Sequence, residues 1–132
     1  MDVMDRDFLM VDGDRTFDEF LSRCGPAQGM RNVVVTRGKR IVGVLRVNTN
    51  LRRTVSEAGS SVRMHSLMQR DFTIVRKDMV VFDVIARLRR RKAVMGVVVA
   101  ERRLPRSDDV VGVITKEHIA DEVADSVRMY PR

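Results

Sequence analysis

The chain has 132 residues, 44% of them apolar, with 25 Lys+Arg against 18 Asp+Glu for a net charge of +7. That is one domain's length with enough apolar content for a core, which excludes a disordered chain. The longest apolar run, Ala93 to Ala100, is eight residues, short of the roughly 18 that cross a bilayer.

The acidic, charge-broken opening (Met1-Asp2-Val3-Met4-Asp5-Arg6-Asp7) predicts no secretory signal. An apolar segment, Phe8 to Val11, then reads as a strand before a charged turn. Phe17, Phe20, Leu21 and Cys24 follow at i, i+3, i+4, i+7, one face of a helix that Gly25-Pro26 ends. Asn32–Thr36 and Arg40–Leu45 are two Val-rich strands joined at Arg37-Gly38-Lys39, where glycine tolerates the positive φ of a tight turn. Leu51, Val55 and Ala58 line a closing helix, and Gly59-Ser60-Ser61 reads as a flexible join.

The order then recurs. Phe72–Val75 is a strand; Val81, Val84, Ile85 and Leu88 share a helix face, with Asp78 placed as its N-cap. Gly96–Ala100 and Val110–Ile114 form a hairpin around the polar loop 101–109, and Ile119, Val123 and Val127 line a second closing helix. Residues 3–11 match residues 67–75 at an offset of 64, with five of nine identical. Val33-Val34-Val35 matches Val97-Val98-Val99 at the same offset, Phe17-Asp18 matches Phe82-Asp83 at 65, and Val42-Gly43-Val44-Leu45 matches Val111-Gly112-Val113-Ile114 at 69. The expectation is an α/β (α+β) fold of two β-α-β-β-α half-domains, residues 1–58 and 67–128 with a linker at 59–66. The continuous Val runs predict strands covered on both faces, with the two sheets packed together about a pseudo-twofold axis and clefts along the seam.

With these pieces in place, the chain resembles a tandem of cystathionine-β-synthase-type (CBS) domains, a Bateman module. Leu67-Met68-Gln69-Arg70-Asp71-Phe72-Thr73-Ile74-Val75 and Val111-Gly112-Val113-Ile114-Thr115-Lys116-Glu117-His118-Ile119 carry the likeness; the second is similar to the family's Val-Gly-Val-Ile-Thr-x-x-Asp turn into the last helix. The resemblance implies a regulatory module that forms a homodimer and binds an adenosine-containing ligand (AMP, ADP, ATP or S-adenosylmethionine) between its halves. Phe72, Thr73, Ile74, Met95 and Val97 would wall the adenine, and Thr115, Lys116 and His118 would meet ribose and phosphate. Phosphate needs a hydroxyl, a cation and the free N–H groups of a helix start. The sequence departs from the family where His118 replaces Asp. In the first half Thr49 holds that place and Arg46 replaces the hydroxyl residue, so the second cleft would rest on Arg46 and Thr49. Loss of charge-assisted bonds to a ribose removes about 1.5–3 kcal/mol, one to two decades of affinity.

Other readings come from composition. Of the 25 cations 21 are Arg, interspersed with acids except at Arg89-Arg90-Arg91-Lys92. That run either opposes the dipole at a helix C-terminus or docks anionic lipid. Nucleic acid ranks behind both, because there is no helix-turn-helix or zinc signature and the aromatics do not lie among the cations. One Cys and two His give no metal spacing, and no catalytic constellation or phosphate loop is present, so no enzyme is expected. Lone Cys24 fits a reducing, cytoplasmic setting. The run Val42–Asn48 and the basic character resemble the cytoplasmic tails of ClC-type chloride channels and transporters, which implies a membrane-bound host. The competing class is a purely structural dimerisation module without a small ligand.

Overall fold

In a computed structural model, the structure describes residues 4–24, 31–58, 61–100, 106–117 and 119. The elements are β1 (Leu9–Asp12), α1 (Phe17–Cys24), β2 (Arg31–Arg37), β3 (Arg40–Val47), α2 (Thr49–Ala58), α3 (Met64–Leu67), β4 (Phe72–Arg76), α4 (Val81–Arg91), β5 (Met95–Val99) and β6 (Val110–Ile114), with a 3-10 turn at Ser107–Asp109 before β6. They make two three-stranded sheets, β1-β2-β3 and β4-β5-β6. Each has a parallel pair across the helix and an antiparallel hairpin after it. The fold is mixed α+β, with one strand–helix–strand–strand order used twice.

Two compact units result. Of the described residues, one holds 7–70 with 106–108, and the other holds 4–6, 71–100, 109–117 and 119. In the first unit Phe17 and Phe20 of α1 pack on Val11, Val33, Val35 and Val47. In the second, Val84 and Leu88 of α4 pack on Val75, Val98 and Ile114. The other face of each sheet is buried too, as Val34 and Val44 show in one sheet and Met95, Val97, Val99 and Val113 in the other. Such two-sided burial is why these strands read as unbroken Val runs. Gly38 turns the first hairpin at φ +61°, the conformation its lack of a Cβ allows.

The segment expected as a linker carries core. Met64 is fully buried within the first unit, with Val62 and Leu67 packed beside it. Its backbone is stitched to the β1–α1 turn: Val62 accepts from Phe17, Met64 donates to Arg15 and His65 donates to Gly13, at 2.8, 2.8 and 2.9 Å. Residues 4–5 and 68–69 extend the sheets. Asp5 bridges to Val113 on the free edge of β6, and Gln69 bridges to Val44 on that of β3. The chain thus lends the residues before each half's first strand to the hairpin of the other half.

Three register expectations are corrected. Asp78 does not cap α4: the N-cap is Val80, with no side-chain cap bond, and Asp78 lies 3.7 Å from Arg76 instead. Phe82 is not the counterpart of Phe17. Both helices start one residue after a cap, which aligns Phe17 with Val81; Phe17 is 1% exposed and Phe82 85%. Val35 faces α1 while Val99 does not; the residue facing α4 is Val98. Between β2 and β5 the offset of 64 therefore matched residues on opposite faces, a slip that a run of identical Val conceals. The basic run closes α4, with Arg89, Arg90 and Arg91 exposed in its last turn. Lys92 is the left-handed C-cap at φ 51°. Outside the described residues lie Val123, Val127 and His118, and the side chains of Cys24, Thr49 and Ala58.

Candidate functional site

β4 and β5 are parallel, pairing Phe72 with Met95, Thr73 with Gly96 and Ile74 with Val97. Side chains alternate along a strand, and Val75, Val98 and Ile114 face α4. Phe72, Ile74, Met95 and Val97 therefore share the face turned away from the helix. Met95 and Val97 are fully buried, whereas Phe72 and Ile74 are half-buried. Thr73, 7% exposed, lies on the helix side and stands apart from the other four expected wall residues.

β6 runs antiparallel to β5, with Ile114 opposite Gly96, so Thr115 and Lys116 emerge at the end of the sheet where β4 and β5 begin. Thr115 is buried, and its carbonyl accepts the Ile119 N–H at 3.2 Å, which makes it the N-cap of the closing turn. Lys116 is exposed. The sheet end thus combines an apolar face, a hydroxyl residue, an exposed cation and a helix start, the parts a phosphorylated aromatic ligand needs. His118 lies outside the described residues.

In the other unit Arg46 lies on β3 opposite buried Asn32, and Thr49 is the first residue of α2. The cap there is Asn48, whose Oδ1 accepts the Leu51 N–H at 2.8 Å. By cap position Thr115 corresponds to Asn48 rather than Arg46, because β3 runs further than β6 before its helix begins. Asn32 is the polar neighbour that sequence reasoning missed; the Val run beside it drew it into the strand pattern.

A second feature was also missed. At the opposite end of the first sheet a depression of about 560 Å³ is lined by Asp12, Thr36, Arg37, Arg40, His65 and Arg70, among others. Its available signal was the Arg37-Gly38-Lys39-Arg40 turn, which was read only for its glycine. Among the described residues no cluster of three or more His, Cys, Asp or Glu is placed to hold a metal ion, and no helix is long and apolar enough to cross a membrane.

Residues 64–125, a little under half of the chain, match the model of the CBS domain. No curated protein matches the chain. Solved structures share the fold. A hemolysin-like protein containing a CBS domain from Oenococcus oeni PSU is 22% identical over 92% of this chain and 86% of its own, with TM-score 0.65. The CBS domain of the bacterial CNNM/CorC family Mg2+ transporter in complex with ATP is 22% identical over 92% and 84%, with TM-score 0.64. The cytosolic domain of the Mg2+ channel MgtE in complex with ATP is 22% identical over 90% and 46%, with TM-score 0.58.

Proposed function

We propose that this chain is a non-catalytic regulatory module, a tandem CBS pair, that takes an adenosine-containing nucleotide at the β4–β5–β6 sheet end and biases a membrane-transport host from the cytoplasmic side. The observation that carries the reading is the gathering of Phe72, Ile74, Met95 and Val97 on one face, at the sheet end where Thr115 and Lys116 open a helix inside the CBS segment. Adenine would lie against the apolar face, phosphate against Thr115 and Lys116, and ribose toward position 118. That ATP accompanies two of the structures sharing the fold supports the ligand class. Any shift passed to the host is bounded by the ligand's differential affinity for two shapes of the module. The ClC-type host expected from residues 42–48 has no counterpart among the structures named above, two of which are parts of Mg2+ transport proteins. The host is therefore proposed only as a membrane transporter.

Isothermal calorimetry with AMP, ADP, ATP and S-adenosylmethionine tests the site. Saturable binding that Lys116→Gln weakens by about tenfold for ATP supports it. No heat at millimolar ligand rejects it for these compounds and leaves the ligand-free dimerisation module, which sedimentation equilibrium reads as twice the chain mass. The exposure of Arg89 to Lys92 favours docking to anionic lipid as a second reading. Its signature is co-sedimentation with phosphatidylserine vesicles that fades as salt rises.

A further inference from the structure

The depression at the tip of the first hairpin lies where β1 and β2 end and β3 begins. Arg46 and Asn48 stand at the other end of β3, about 20–25 Å away along an extended strand. The two ends are separate places on one sheet. Arg37 and Arg40 are direct cross-strand partners, and like charges set opposite each other destabilise a hairpin. Arg70 lines the same depression. Two carboxylates, Asp12 and Asp14, line it as well, yet among the described residues none of the three guanidinium groups pairs with either. Asp12 instead accepts the Asp14 N–H at 2.8 Å. Three arginines thus line, beside two carboxylates, one concavity whose wall also includes the half-buried Ile41 and Met68.

We propose that this depression binds a phosphoryl-bearing small molecule, its oxyanion bridging Arg37 and Arg40 with Arg70 as the third donor. Guanidinium forks match phosphate oxygens two at a time, so an anion there turns the Arg37–Arg40 repulsion into attraction. Ile41 and Met68 take the organic part of the ligand, and Asp12 and Asp14 accept from its hydroxyl or amino groups. A volume of about 560 Å³ is that of a small-molecule site rather than a macromolecular groove. This inference is independent of the nucleotide reading at the other unit's sheet end.

The test is calorimetric titration of the whole chain with inorganic pyrophosphate at fixed ionic strength, with circular dichroism confirming that each variant is folded. Saturable binding is expected, weakened at least tenfold in R37Q/R40Q and several-fold in R70Q. R89Q/R90Q, which loses the same charge elsewhere, should leave it unchanged. The proposal falls if millimolar pyrophosphate gives no heat, if R37Q/R40Q binds as well as the parent, or if R89Q/R90Q weakens binding equally, since that would be general charge attraction. Failure of Lys116→Gln to affect ATP would count against the nucleotide reading alone.

Discussion

Asp5 and Val113 exchange two backbone hydrogen bonds, the Asp5 N–H donating at 2.7 Å and its carbonyl accepting at 2.9 Å. Gln69 and Val44 exchange the same two, at 2.7 and 2.9 Å. Beside each pair a glycine lets a methionine close over the strand: Met4 over Gly112 and Met68 over Gly43. The repeat seen in the sequence is therefore a repeat of contacts as well as of elements.

A Cβ at Gly112 would stand 2.6 Å from the Met4 sulfur and 3.1 Å from the Asp5 carbonyl; one at Gly43 would stand 2.5 Å from the Met68 sulfur and 3.0 Å from the Gln69 carbonyl. Gly112→Ala and Gly43→Ala are each expected to cost about 1–3 kcal/mol in urea denaturation. Adding Met4→Ala to Gly112→Ala should recover part of that loss by removing the flexible half of the clash. Full additivity of the two losses would show that no such contact exists.

Met64→Ala should cost about 2–5 kcal/mol, the range for emptying a core position. A residue in a flexible linker would cost within about 0.5 kcal/mol. Equilibrium unfolding distinguishes the two outcomes directly.

Phe17→Ala should cost about 3–5 kcal/mol, whereas Phe82→Ser should change stability by no more than about 0.5 kcal/mol. Equal losses would restore the offset of 65 that pairs the two phenylalanines.

The start of α1 is a reciprocal cap. The Thr16 hydroxyl accepts the Glu19 N–H at 3.2 Å and donates to Glu19 Oε1 at 3.2 Å, while Arg15 lies 3.0 Å from Oε2. Thr16→Ala should cost about 1 kcal/mol. The hydrogen bond from Arg15, together with those from Thr16, holds the Glu19 carboxyl below its ordinary value. A carboxyl lowered by folding stabilises above its unfolded pKa, and that contribution disappears as pH falls through the folded value. The stability gap between parent and Glu19→Gln should therefore be open at neutral pH and close in acid. A gap that widens in acid would refute the assignment.

Element order was legible because hydrophobic spacing alone distinguishes Phe17-Phe20-Leu21 from the Val runs. The turn at Gly38 was legible because only glycine favours its φ. Register was not: in Val33-Val34-Val35 and Val97-Val98-Val99 every position is the same residue, so composition cannot say which valine meets the helix. Thr16-Phe17-Asp18-Glu19 spells the α1 cap in the sequence, whereas Asp78, the residue expected to cap α4, does not cap it. At the candidate site, the common face of Phe72, Ile74, Met95 and Val97 follows from alternation once the pairing is known. The same alternation sets Thr73 on the opposite face from its neighbours Phe72 and Ile74. The Arg37–Arg40 opposition appears only when the hairpin closes.

The lending of residues 4–5 and 68–69 has a practical outcome for anyone dissecting this protein. A gene split at the junction near residue 60 would yield two fragments, each missing the ribbon that seals its outer hairpin strand and leaving Val44 or Val113 with unmet amide groups at an aggregation-prone rim. Mixed together, such fragments should complement one another and regain solubility, whereas either expressed by itself should not.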